Sequence, residues 1–322
     1  MPQLPAAALP TASAAARLAA LARPRMWPAL MVISLFGYGL GHWTLAAPLH
    51  APLAMLRLLA AWTALHIGTL WWNAARDHDE SSVLFGDPVV PPAGTGALGL
   101  GMLGLCCLVA WPAGPLPAAC AAAAALLALA YSHPRLAWKG HPLLGPLVNI
   151  VGYGVLTPLA SYSLVGRLDD PRLALALLGC GGAMGSLCFA AMVWQGPEDA
   201  RRGDRTLVVT AGPRGALRAA RIALGIAALP VLIGALVGLF PRAVLLCFAL
   251  LPWADAPLRA WLRAAAPGDP RRGPARAQAY LGRLTLLACA ALLCAFADYL
   301  RDDLAGRPLA GRGTALTPAL EP

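Results

Sequence analysis

Runs of about twenty apolar residues, each closed by a short polar or Pro/Gly-rich break, recur along most of this chain. At 1.5 Å per residue, a helix of that length crosses the roughly 30 Å hydrocarbon core of a bilayer. The runs are too long for tilted barrel strands and lack period-2 alternation. Helices, whose backbone groups pair within their own segment, are therefore the only spans the pattern allows. Nine are expected, over residues 28–47, 51–73, 96–112, 115–131, 143–165, 173–194, 217–240, 243–262 and 280–299. The fold class is all-α, a polytopic membrane bundle of about nine transmembrane helices.

An odd number of spans puts the termini on opposite sides, and the basic residues choose which side is which. Arg17, Arg23, Arg25, Arg76, Arg135, Lys139, Arg201, Arg202, Arg205, Arg214, Arg218, Arg221, Arg263, Arg271, Arg272 and Arg276 fall on the N-terminal side, sixteen against seven on the other. The positive-inside rule makes the N-terminal side cytoplasmic and predicts a multi-pass protein of the cell inner (plasma) membrane. This topology already explains the net charge of +10, which leaves no reason to invoke nucleic acid. Residues 1–24 and 303–322 read from composition as disordered extensions around one transmembrane domain, 25–302, and the N-terminal stretch lacks the basic start and apolar core of a cleaved signal. The eight cysteines all lie inside the apolar runs and suggest neither a disulfide framework nor a zinc site.

Against 59% hydrophobic and 12% charged residues, two short segments concentrate six of the fifteen carboxylates. The first, residues 72–80, follows the second run. If that helix continues for two turns, Asn73, Asp77 and Glu80 stand at i, i+4 and i+7 on one face, with Asp79 beside them and Arg76 flanking. The second, residues 195–207, follows the sixth run. Gln195, Glu198 and Asp199 share a face, Arg201 and Arg202 come within a turn, and Gly203 ends the helix before Asp204, Arg205 and Thr206. Either segment alone is weak evidence, since an ordinary hydrated helix end, or a loop whose Glu and Arg pair with each other, has the same composition. Together, at the cytoplasmic ends of two spans, they supply the hard oxygen ligands that Mg²⁺ prefers and the guanidinium groups that hold a diphosphate.

The spacing Asn73-x-x-x-Asp77-x-Asp79-Glu80-Ser81, the later Gln195-x-x-Glu198-Asp199 with Gly203-Asp204-Arg205-Thr206-Leu207, and the Tyr131–Lys139 loop with Pro142 and Gly145 resemble the UbiA-type intramembrane prenyltransferase superfamily. Its members carry Asn-x-x-x-Asp-x-x-x-Asp after the second helix and Asp-x-x-x-Asp after the sixth. The match runs in order over residues 25–300, with Ser81 and Gln195 standing where the family pattern has acids. The resemblance implies a cytoplasmic-side active site and two Mg²⁺ ions bridging an isoprenyl diphosphate. Asn73, Asp77, Asp79, Glu80, Glu198 and Asp199 are the metal ligands it implies. Arg76, Arg135, Lys139, Arg201, Arg202 and Arg205 would bind the diphosphate, and Asp77, Asp199 and Lys139 are the catalytic candidates.

The expected reaction moves the isoprenyl group through an allylic carbocation to a small lipophilic or aromatic acceptor. Asn149, Tyr153, Trp72 and Trp194 would line the acceptor or cation pocket, where ring faces stabilise positive charge. Inside the same fold the alternative is a terpene cyclase acting on the diphosphate alone. A transporter is a third reading, disfavoured because the acids sit at one membrane face rather than near mid-membrane. His42 and His66, lone imidazoles on apolar helices, read first as core groups. Asp255, inside the eighth run, reads first as an ion-pair partner of Arg259.

Overall fold

The computed structural model describes residues 13–43, 51–77, 84 and 88–304. Its long helices are α2 (Trp27–His42), α3 (Pro52–Ala74), α4 (Thr95–Ala110), α5 (Pro115–Ser132), a span made of α6 (Leu144–Asn149) and α7 (Thr157–Tyr162), α8 (Pro171–Ala191), α10 (Leu207–Leu236), α11 (Leu251–Leu262) and α12 (Gly273–Leu304). Short α1 (Ala14–Leu21) precedes them, and α9 (Gly196–Arg202) lies between α8 and α10. Eight of the described helical segments are long and apolar enough to cross a membrane, and α2 adds sixteen apolar-rich residues to them. This is an all-α polytopic membrane fold. Large aliphatic side chains such as Leu108, Ile222, Leu246 and Leu293 face outward, where lipid rather than water is the solvent.

Among the hydrophobic cores of the bundle, two are the most extensive. One joins α3, α4 and α5 around Leu58, Trp62, Leu65, Leu103 and Cys106, and the other joins α8, α10, α11 and α12 around Trp194, Leu217, Leu258, Trp261 and Tyr280. Small residues let the helices approach closely. A Cβ on Gly182 of α8 would lie 2.6 Å from the Ala227 nitrogen of α10, so only glycine fits that crossing. Across the same seam the Ser186 hydroxyl lies 2.6 Å from both the Ala220 carbonyl and the Tyr280 hydroxyl, joining α8, α10 and α12.

Several boundaries differ from expectation for identifiable reasons. Residues 14–21, assigned to a disordered extension, form α1: Ser13 caps it by accepting from Ala16 N, and Trp71 Nε1 on α3 donates to the Leu18 carbonyl at 3.0 Å. Helix α3 does not continue two turns beyond the span. Its last turn closes through Arg76 N and Asp77 N onto the Asn73 carbonyl (2.9 and 2.8 Å), and the Arg76 guanidinium folds back over the Trp72 ring at 2.9 Å. Helix α10 begins at Leu207 instead of 217 and takes its kink at Gly212, whose φ of 72° and ψ of 170° are non-helical. Helix α12 begins at Gly273 rather than 280. Asp255 is held mainly by Arg221 of α10, in two 3.0 Å bonds, with Arg259 at 3.6 Å.

The span from α6 to α7 contains a π-helical stretch, Ile150–Leu156. Thr157 Oγ1 donates to the Gly152 carbonyl at 3.1 Å, tying the following helix to this wider turn.

Candidate active site

Between these two cores lies a cavity of about 280 Å³, walled by α2 and the turn before it, α3, α5, α6, the π stretch, α8, α9, α12 and the loops that follow α5 and α9. Its mouth is polar: Asn73, Asp77, Lys139, His141, Gln195, Asp199, Arg202, Asp204 and Thr206 line it. Its depth is mostly apolar, with Ile33, Leu70, Met184, Leu187 and Cys188 beside His66, Tyr131, Asn149, Tyr153 and Trp194.

The first acidic wall is assembled from distant parts of the chain. Lys139, on the loop after α5, donates to the buried Asp77 carboxylate, and Ser132 at the end of α5 donates to the Asn73 side-chain oxygen. The loop carrying Lys139 is held from within. Leu136 N and Ala137 N donate to the His133 carbonyl, and His141 Nδ1 accepts from Leu143 N and Leu144 N at 3.2 Å each.

The second wall is local. Helix α9 starts with Pro197 in its first turn, carries Glu198 and Asp199 where the helix dipole favours acids, and ends at Gly203 with φ 79°. Arg202 gathers all three nearby acids: Glu198 Oε1 at 2.8 Å, Asp199 Oδ1 at 2.8 Å and Asp204 Oδ2 at 3.4 Å. Thr206 Oγ1 donates to the other Asp199 oxygen at 2.8 Å. Burial raises the Asp199 carboxyl above the usual carboxylate value against the Thr206 and Arg202 bonds that lower it. Burial opposes the charge on Arg202 as well, but Glu198, Asp199 and Asp77 outweigh it and hold the guanidinium above its ordinary value.

The two walls meet at Gly140. Its carbonyl accepts from Arg205 N at 2.8 Å, and a Cβ there would overlap the Asp204 carboxylate, so glycine is required for the two loops to close on each other. Among the described residues no three His, Cys, Asp or Glu side chains converge on one point. The described donors at the mouth are Asn73 and Asp77 from one wall and Gln195, Asp199 and Asp204 from the other. This oxygen-rich set fits Mg²⁺ arriving together with phosphate oxygens, which complete an octahedron that so few acids cannot fill unaided.

The family model for the UbiA prenyltransferase family matches residues 26–273. The chain belongs to the UbiA family. A UbiA homologue from Archaeoglobus fulgidus, solved bound to GPP and Mg²⁺, superposes with a TM-score of 0.63 at 15% identity, covering 88% of this chain and 99% of that one. The solved digeranylgeranylglyceryl phosphate synthase superposes with a TM-score of 0.60 at 13% identity over 89% and 99%. At such identities these two matches describe a shared UbiA fold. The lycopene elongase/hydratase of Haloferax volcanii is 34% identical over 171 residues, 50% of this chain and 52% of that protein. The chain thus spans about half the length of this curated relative.

The UbiA-type motif residues separate into groups. Asn73, Asp77, Lys139, Asn149, Tyr153, Trp194, Asp199 and Arg202 line the one cavity, whereas Asp79, Glu80, His78 and Ser81 lie outside the described residues. Glu198 stands behind the wall as a buried partner of Arg202 rather than on it. Arg135, Arg201 and Arg205 are exposed and away from the cavity lining, Arg76 is turned onto Trp72, and Trp72 itself is buried against α5 with Nε1 donating to the Leu129 carbonyl at 3.4 Å. These five residues were expected at the diphosphate or in the pocket, and none of them is among the residues that line the cavity.

Other lining residues carry no such motif signal. Arg23 reaches the mouth from a left-handed backbone position (φ 45°) between α1 and α2, a conformation a non-glycine residue adopts only under constraint. His141 and His66 also lack such a signal, whereas Thr206, Asp204 and Tyr131, which line the wall as well, belong to the motif stretches.

Proposed function

We propose that this chain moves an isoprenyl group from an isoprenyl diphosphate to a lipophilic or aromatic acceptor, with Mg²⁺, in a plasma-membrane bundle whose cavity opens to the cytoplasm. The observation that carries the reading is a cavity polar at its mouth and apolar in its depth, with acid and cation pairs on two facing walls. An isoprenyl diphosphate divides its own surface in the same way. The excess of Arg and Lys on the loops at the mouth side supports the cytoplasmic orientation.

Mg²⁺, when bound, neutralises the negative charge that develops on the departing diphosphate. Asn73, Asp77 and Asp199 would hold it, with Asp79 and Glu80 assigned to the remaining places. Lys139 and Arg202, already drawn to the mouth by the acids, bind and orient the phosphate oxygens, and Arg23 adds a third cation. The apolar depth excludes water, so the allylic cation survives until an acceptor carbon attacks it. Tyr153, Tyr131 and Trp194 present rings to that region, and Asn149 orients the acceptor. The kinship with a lycopene elongase/hydratase makes a polyene the first acceptor to assay.

The test uses purified protein in lipid nanodiscs with Mg²⁺, dimethylallyl or geranylgeranyl diphosphate, and lycopene or 4-hydroxybenzoate. The expected result is diphosphate release accelerated by an acceptor, with a prenylated product, and a loss of at least about 100-fold in the Asp77→Ala, Asp199→Ala double variant. Equal release from that variant, or a cyclised hydrocarbon as the main product without acceptor, overturns the reading.

A further inference from the structure

Deep in the cavity the imidazole of His66 has one ring nitrogen that no described residue partners. His66 lies on α3, seven residues before Asn73 and hence two turns along the same face, about 10 Å further into the membrane than the amide at the mouth. It is 3% exposed and lines the cavity. Its Nδ1 is 3.3 Å from the Tyr153 hydroxyl, while Nε2 is buried with no hydrogen-bond partner.

In one neutral tautomer His66 Nδ1–H donates to the Tyr153 oxygen and Nε2 is a bare lone pair. In the other, Nε2 carries a buried N–H that no described residue accepts, the costlier arrangement. The other bases on the cavity wall are committed: Asp77 to Lys139, Asp199 to Arg202 and Thr206, Asp204 to Arg202, and His141 Nδ1 to two backbone N–H groups.

We propose that His66 Nε2 is the base that ends the reaction, taking the proton lost by the carbocation; this rests on the prenyl-transfer reading above. When the allylic carbon bonds to an acceptor double bond or ring, positive charge passes to the acceptor. The adjacent C–H bond then breaks, its electron pair closes a double bond or restores the ring, and the proton goes to Nε2. The imidazolium keeps its Nδ1–H bond to Tyr153 and later gives its extra proton to water or the departing diphosphate. A base two turns from the mouth is separated from the diphosphate, which would otherwise compete for the proton.

Two measurements test it. In the wild type in nanodiscs, ¹⁵N side-chain NMR of histidine, assigned by the signals lost in His66→Gln, should show a ring protonated at Nδ1 and bare at Nε2; a protonated Nε2 overturns the proposal without touching the transfer reading. On prolonged incubation with Mg²⁺ and geranyl diphosphate alone, wild type should yield acyclic triene, the deprotonation product. His66→Gln and His66→Phe should lower the ratio of triene to terpene alcohol by about 10-fold or more, whatever happens to the total release. Tyr153→Phe, which keeps the imidazole, should lower it less. An unchanged ratio overturns the proposal alone, whereas no release by wild type with or without acceptor overturns the transfer reading and this inference together.

Discussion

The two acidic walls of the cavity do the same work by different means. Asp77 depends on a lysine 62 residues away, carried by a loop after α5, while Asp199 is held by Arg202 three residues on and Thr206 seven residues on. The second wall is therefore formed as soon as α9 and its Gly203 stop are formed. The first exists only when the α3 end and the α5 loop have docked. Gly140 joins the two arrangements, since the residue next to Lys139 accepts the Arg205 backbone bond and packs on Asp204. A substrate that needs both walls thus senses whether the two halves of the bundle are assembled.

Substitutions should separate the walls. The largest contrast is between Arg202→Met and Lys139→Met. Removing Arg202 strands two buried carboxylates and should cost about 3 kcal/mol of stability as well as activity. Removing Lys139 strands one and should lower diphosphate release about 100-fold with a smaller stability loss. Thermal unfolding in detergent, read beside diphosphate release, checks both, and equal stability losses would argue against the local and distant assignments. Gly140→Ala comes next. It should raise the KM for the diphosphate several-fold to about 10-fold by holding the Lys139 and Asp204 loops apart, with little change in far-UV circular dichroism. Thr206→Val should be mildest, removing one hydrogen bond to Asp199 at about 1 kcal/mol in unfolding free energy and leaving the Lys139 side unaffected.

The spans were legible because solvent imposes them: lipid demands about twenty apolar residues whatever the fold packs inside. Asp77, Asp199, Lys139 and Arg202 were legible as charges that such a chain concentrates at helix ends, and as members of motifs that a known family shares. Their partners were legible only in part. Arg202 meets Glu198 and Asp199 at i, i+4 and i, i+3, and Arg76 lies four residues from Trp72, all local spacings, whereas the bonds of Ser132 to Asn73 and Lys139 to Asp77 depend on which helix ends meet, and no local periodicity records them. Arg135, Arg201 and Arg205 have the charge a diphosphate needs but are exposed and not among the residues that line the cavity. His66 is the reverse case: a single imidazole in an apolar run carries no pattern, and only its place beside Tyr153 gives it a chemical meaning.

The wide turn at Ile150–Leu156 lets a single rod serve two neighbours out of phase. Asn149 and Tyr153, at and just inside its start, face the cavity, while Gly154 abuts Gly181 of α8, where a Cβ would sit 2.8 Å from the partner's Cα. A regular helix turns about 100° per residue, so deleting one residue within the stretch would rotate everything beyond it by that angle. Asn149 and Tyr153 line the cavity while Gly154 holds the seam with α8, so such a deletion would take α7 out of register with the cavity lining before it.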